Sequence, residues 1–266
     1  MAAPTSVATP GPRPLPLAGV VITRNEADRI ARCVRSLAEV CAEVWVLDSG
    51  STDATAELAR AAGAQVREQA WLGFAAQKNA AIALATQPWV ILLDADEWLA
   101  DGAAERLRAL FAGEVERADV WELRRRTHYL GAVLHFGGWG NEKVKRLFRN
   151  DLRFKPGHVH EKMDVGGRRV RTSGVRMEHD TARSGAEYRA KLDRYARLFA
   201  EQAHAQGRRA SPLAPGLHAA AYLLKTVLLR GGFLDGPGAW RYHAEHVRYV
   251  RAKYRYLRAL GSAAAR

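Results

Sequence analysis

Three short apolar runs, each closed by a cluster of polar residues, constrain this chain more than any other feature. Gly19-Val20-Val21-Ile22 ends at Thr23-Arg24-Asn25-Glu26, Val44-Trp45-Val46-Leu47 at Asp48-Ser49-Gly50-Ser51-Thr52-Asp53, and Trp89-Val90-Ile91-Leu92-Leu93 at Asp94-Ala95-Asp96. Continuous apolar runs of this length read as strands buried on both faces. Between them, Ile30, Val34 and Leu37 recur at helical spacing up to about Glu39, and residues 54–62 form a second helix stopped at Gly63. Gln65-Val66-Arg67 reads as a strand and Phe74 to Ala85 as a helix. Strands alternating with helices predict an α/β fold with a mostly parallel sheet and helices on both faces. Ligands of such sheets bind beyond the carboxyl ends of the strands, where the three polar clusters fall.

The later sequence is less regular. A helix from about Asp101 to Phe111 precedes expected strands at 120–123, 144–148 and 169–175, with a Gly/His/Trp-rich stretch from Tyr129 to Asn141 between them. From Ser184 the pattern turns helical, with Tyr188, Leu192, Tyr195, Leu198 and Phe199 on one face, then helices over about 215–229 and 239–260. The expected organisation is a disordered leader over 1–17, a nucleotide-binding and catalytic domain over 18–180, and a basic helical region over 181–266. No internal repeat is evident.

Charge follows this division. The formal charge is +13, yet residues 1–180 hold 25 basic and 23 acidic side chains, while 181–266 hold 16 and 5. A basic surface attracts phosphate, in nucleic acid, anionic lipid or a phosphorylated glycan. Nothing in the segment matches a nucleic-acid-binding fold, so no nucleic-acid partner is expected. The stretch from Leu213 to Leu234 is broken by Pro215, Lys225 and Arg230, and does not read as a transmembrane span. The N-terminus lacks a signal-peptide pattern. Two cysteines, Cys33 and Cys41, cannot build a disulfide framework or a four-thiolate zinc site.

Asp94-Ala95-Asp96, directly after a strongly apolar strand, can hold a hard divalent cation whose shell a phosphate completes. The same triplet can be a solvated turn. Thr52 or Asp53 is the expected helix cap, which leaves Asp48 free to accept hydrogen bonds. Lys78 is either a solvated helix residue or a ligand contact.

The ordered segments Val20 to Glu26, Val46 to Thr55, Gln77-Lys78-Asn79-Ala80 and Leu92 to Glu97 resemble the family 2 glycosyltransferases of GT-A fold. Gly137-Gly138-Trp139, Arg146-Leu147-Phe148-Arg149, His160-Glu161 and Gly231 to Gly236 resemble the bacterial branch containing the lipopolysaccharide core beta-1,4-glucosyltransferases. The resemblance implies an inverting hexosyl transfer, with UDP-glucose or a close relative as donor and a lipid-linked glycan as acceptor. It places the protein peripherally on the inner face of the cytoplasmic membrane.

Residue by residue, it assigns Thr23, Asn25, Glu26 and Asp48 to the nucleotide pocket and Lys78 to the base or diphosphate. Asp94 falls on the ribose side, and Asp96, with Asp94, to a Mg2+ or Mn2+ ion. Glu161 is the expected base on the acceptor side, with Asp164 in reserve. His158, His160 or His179 touches the metal or diphosphate, or His160 orients Glu161. Trp139 reads either as a sugar platform or as a packed core ring. Arg146 contacts diphosphate or acceptor phosphate, or else pairs with an acid. The basic residues Arg183, Arg189, Lys191, Arg194, Arg248, Arg251, Lys253, Arg255 and Arg258, interleaved with Tyr195, Tyr222, Tyr242, Tyr249, Tyr254 and Tyr256, are expected to face an anionic bilayer. Two alternatives are a sugar-phosphate nucleotidyltransferase, disfavoured because Thr23-Arg24-Asn25-Glu26 stands where a glycine-rich phosphate loop belongs, and a non-catalytic protein that binds phosphate or anionic lipid.

Overall fold

The computed structural model describes residues 13–155 and 163–263. Its elements run β1 (Leu15–Thr23), α1 (Ile30–Ala38), β2 (Cys41–Asp48), α2 (Thr55–Ala61), β3 (Gln65–Glu68), α3 (Phe74–Ile82), β4 (Trp89–Asp94), β5 (Glu97–Leu99) and α4 (Ala103–Gly113). There follow β6 (Val120–Tyr129), β7 (Ala132–Leu134), β8 (Glu142–Arg149), β9 (Val170–Asp180), α5 (Gly185–Ala205), α6 (Ala214–Tyr222) and α7 (Gly236–Ala263).

One sheet orders these strands β3-β2-β1-β4-β8-β6-β9-β5, with β7 paired to β6. The first four are mutually parallel. Beyond β4 the sheet is mixed: β8 runs antiparallel to β4 and β6, β9 is parallel to β6, and β5 is antiparallel to β9. The expectation of a mostly parallel sheet therefore holds for the first four strands and for the β6–β9 pair, and fails where β8, β5 and β7 join. The antiparallel additions come from the less regular sequence after β4. The architecture is α/β, with helices on both faces of the sheet and a C-terminal helical region, as expected.

Side chains of β1 alternate between two cores. Leu17 and Val21 face α1 and α4, while Ala18, Val20 and Ile22 face α3. Gly19 lies so close to α1 that a Cβ there would stand 3.1 Å from the Leu37 Cβ, so a larger residue would push the helix away. The expected leader over 1–17 needs correction, because β1 begins at Leu15. Leu15 pairs with Cys41 and Leu17 with Trp89, and Leu17 is fully buried. Residues 1–12 lie outside the described residues.

A third core joins the sheet to the helices. Tyr129 and Leu134 of β6 and β7 pack with Tyr188 and Leu192 of α5 and with Ala239 and Tyr242 of α7. On α5 the buried stripe is Tyr188, Leu192, Ala196, Ala200 and Ala203; Tyr195, Leu198 and Phe199 are only partly covered. Small residues let α5 and α7 approach closely, so the alanines face inward. The helix expected over 215–229 is α-helical to Tyr222 and continues as a π-helical segment, Leu223–Leu229.

Candidate active site

Chain order reverses beside β1: β2 and β3 lie on one side, β4 on the other, which creates a crevice at the strand ends. In register, Thr23 lies opposite Asp48 and Ile22 opposite Asp94. Two sheet spacings then separate the two acids, about 10 Å across the tip of β1.

The loops after β1 and β2 lock together through polar atoms. Gly50 takes a φ of +80°, which folds the Ser51 N–H and Oγ back onto Asp48; the Ser51 hydroxyl donates to Oδ1 at 2.6 Å. Asn25, with a φ of +54°, accepts from the Thr52 N–H at 2.8 Å, and its own N–H donates to the Ser51 Oγ at 2.8 Å. The Glu26 N–H donates to Thr55 Oγ1 at 2.7 Å. Asp48 is buried, as is the Thr23 hydroxyl, which has no partner among the described residues. An unpartnered buried hydroxyl beside a carboxylate suits a polar ligand that supplies the missing bond.

Glu26 accepts from Arg29 and Arg183, both at 2.7 Å. Burial raises its pKa and outweighs these cations. Arg183 also holds Asp28, so the rim is tied to the residues just before α5.

Around β4 the charges are buried and interlocked. Glu97, fully buried, accepts from Arg146 at 2.6 Å and Arg125 at 3.0 Å, and takes the Asp94 N–H at 3.1 Å. Arg146 also donates to Asp94 Oδ2 at 2.7 Å, and the Lys78 Nζ stands 3.7 Å from Asp94 Oδ1. Burial opposes ionisation of Asp94, but Lys78 and Arg146 prevail and hold it well below the usual carboxylate range. The same acids raise the pKa of Arg146 against the opposing effect of its burial. Of the two readings of Arg146, the pairing with acids is the one seen, and those acids are Asp94 and Glu97.

Asp96 lies apart from this network. Its Oδ2 stands 3.4 Å from His179 Nε2. Burial opposes its charge, yet His179 brings its pKa down to about 2. The His179 Nδ1 is buried without a partner among the described residues. As a donor set this fits a hard divalent cation: Mg2+ and Mn2+ accept one or two carboxylates and complete their shell with phosphate and water. Asp96 is the better ligand, since Asp94 already neutralises two cations. No group of three or more metal-ligating side chains converges among the described residues.

Other expected residues are dispersed. Trp139 packs its ring edge-on against Tyr242 and His246, at centroid distances of 5.3 and 5.0 Å, in the aromatic core. Asp164 is exposed and paired with Lys155 at 3.0 Å, which keeps its pKa low. His158, His160 and Glu161 lie outside the described residues. Sequence reasoning quoted Glu97 in the acidic motif without giving it a role. Locally it is one more acid after Asp94-Ala95-Asp96, and its partners Arg125 and Arg146 stand on distant strands.

Residues 20–126 match the family model described as glycosyl transferase family 2. That segment, less than half of the chain, is similar to the family 2 glycosyltransferases. Among curated proteins, it is 39% identical over 122 residues to the lipopolysaccharide core biosynthesis glycosyltransferase LpsC of Rhizobium meliloti (strain 1021), over 44% of each chain. It is 43% identical over 96 residues to the succinoglycan biosynthesis protein ExoU of the same organism, over 33% of this chain and 28% of that protein. The chain spans less than half the length of these two curated relatives. Among solved structures, S. aureus TarS 1–349 in complex with UDP-GlcNAc is 14% identical with a TM-score of 0.45, over 90% of this chain and 91% of that one. Glucosyl-3-phosphoglycerate synthase from Mycobacterium tuberculosis, in complex with Mn2+, UDP-glucose and phosphoglyceric acid, is 24% identical with a TM-score of 0.31, over 42% and 43%. Both TM-scores are low, and the likeness to the family rests on the sequence match over residues 20–126.

Proposed function

We propose that this protein is an inverting, metal-dependent glycosyltransferase. It moves a hexose, glucose from UDP-glucose in the leading reading, onto a lipid-linked bacterial surface glycan such as lipopolysaccharide core. The observation carrying this reading is the placement of Asp48 and Asp94 at the strand ends on either side of β1, with Asp96 two residues further on, within a segment that matches the family 2 model.

Asp48, with Thr23, Asn25 and Glu26, receives the uracil and ribose. Asp48, which accepts the Ser51 hydroxyl at Oδ1 and shares the Ser51 N–H between its two oxygens, keeps lone pairs for the ligand, and the Thr23 hydroxyl gains its missing partner. Lys78 and Arg146 keep Asp94 ionised on the ribose side and add positive charge near the diphosphate. Asp96 holds Mg2+ or Mn2+, with Asp94 alongside and His179 fixing the carboxylate. When bound, that ion neutralises charge growing on the departing nucleoside diphosphate. Glu161 takes the proton from the attacking acceptor hydroxyl. Asp164 is the weaker candidate because Lys155 already pairs with it.

Calorimetric titration with UDP, with and without Mn2+, tests the reading. Binding should require the metal and should weaken at least about 100-fold in Asp96→Asn, an interaction with a charged ligand being lost. Glu161→Gln should keep UDP affinity and lose turnover, followed in a screen of nucleotide sugars. UDP binding that ignores both the metal and Asp96 would refute the site.

A further inference from the structure

We propose that the outward face of α6 and the π-helical segment after it is a membrane-insertion surface, seated in the interface of an anionic lipid bilayer. Leu213, Leu217, Leu224 and Leu228 recur at spacings of four, seven and four residues, which places them on one helical stripe. They are 71, 65, 54 and 58% exposed. The protein-facing side carries Pro215, Ala219, Thr226 and Val227, all buried. Water-facing helices normally turn their larger apolar stripe inward; here the leucines point out and a smaller, mixed set points in. Leu229, Leu234 and Trp240, in the segment that follows, are each at least half exposed. An exposed apolar stripe of this kind marks a contact with something apolar.

Charge selects the occupant. Residues 202–234 contain no Asp or Glu and four cations, Arg208, Arg209, Lys225 and Arg230. The next acid, Asp235, turns its carboxylate onto the His135 and Phe136 N–H groups at 2.8 and 3.0 Å. A second copy of the chain would bring cations against cations. An anionic lipid surface supplies the opposite charge and an apolar layer at shallow depth. Among the described residues, no helix is long and apolar enough to cross a membrane, so the leucines lie in the interface and do not span it.

The surface is fixed to the catalytic sheet. Asp235 clamps the segment after β7, and a Cβ on Gly231 would touch both Phe136 and Leu234. This deepens the glycosyl-transfer reading and rests on it for purpose: a lipid-linked acceptor is met by a site held at the bilayer. The expected membrane contact thereby moves. Arg183, Arg189 and Arg248 are paired with Asp28, Glu245 and Glu245, and Tyr242 is buried in the aromatic core.

Flotation of the full chain with vesicles decides the matter, using equal parts phosphatidylglycerol and phosphatidylcholine, against phosphatidylcholine alone. The protein should float with the anionic vesicles at low salt. The triple variant Leu217→Gln/Leu224→Gln/Leu228→Gln should bind about 100-fold more weakly, from the loss of apolar burial. Lys225→Gln/Arg230→Gln should bind about 30-fold more weakly. Circular dichroism and UDP titration on the same preparations verify that the variants are folded. Unchanged binding by the triple variant overturns the proposal, as does failure of the wild type to bind anionic vesicles. A wild-type dimer that the triple variant makes monomeric, with no vesicle binding, overturns it in favour of a subunit interface. Vesicle binding that survives a failure to bind UDP supports the surface and refutes the transfer reading.

Discussion

At the strand ends, charged groups are buried and face each other; in the C-terminal helices, rings are buried and most charges stand outside. Glu97 sits among Arg125, Arg146 and the Asp94 N–H with no exposure at all. Tyr242, equally buried, is surrounded instead by Tyr129, Trp139, Tyr188 and His246. Buried ion pairs are costly to desolvate and position charge accurately, while stacked rings contribute burial and shape. The contrast suits a rim that must hold carboxylates in one geometry and a helical pack that must present a surface.

The largest stability effect should come from breaking the rim. Glu97→Gln leaves Arg125 and Arg146 short of a counter-charge, and denaturant unfolding should show a loss of about 4 kcal/mol. UDP affinity should fall with it, because Arg146 and Asp94 lose their anchor. A loss no greater than that of a surface substitution would mean the network does not hold the rim. In the helical pack, Tyr242→Leu should cost about 2–3 kcal/mol, measured the same way, through lost ring contacts and imperfect filling. UDP affinity should change little.

Acid separates the regions by pH window. Burial lowers the His246 pKa to about 3, from an ordinary value of 6.5. The unfolded chain therefore takes up a proton near 6.5 that the folded chain refuses, and stability falls as pH drops below that value, by up to about 1.4 kcal/mol per unit. Asp96, held near 2 by His179 despite its burial, begins to act only below its ordinary value of 3.8. Glu178, brought to about 2 by His128 and Arg126 against burial, does so below 4.5. Their contribution is complete above those values and is lost as pH falls toward 2. Unfolding measured from pH 7 to 4.5 should thus report mainly the helical pack, and His246→Phe should flatten that limb. An unaltered limb would assign the acid sensitivity elsewhere.

The smallest effect lies at the junction. Ser184 caps α5 by accepting from the Glu187 N–H at 3.1 Å, and Ser184→Ala should lower stability by about 1 kcal/mol without changing UDP binding.

How far the sequence could be read follows the same division. The strands β1, β2 and β4 were legible because each is a continuous apolar run, and Asp48, Asp94 and Asp96 because they stop those runs. β5 and β7, three residues each, carry too few side chains to show a period. Glu97 looked like one more acid in a polar cluster, since its partners Arg125 and Arg146 lie 28 and 49 residues away. Trp139 could be given two roles, and only its neighbours Tyr242 and His246, over a hundred residues later, show its ring packed inside.

Local pattern alone determined the α/β class and the placement of acids at strand ends, because apolar periodicity and chain punctuation act over a few residues. Tertiary structure decided which carboxylate is spent on arginine and which stands beside His179, where the sheet turns mixed, and which side of α6 meets the protein. Those outcomes depend on contacts between residues far apart in the chain, where burial and charge pairing are set by the partner.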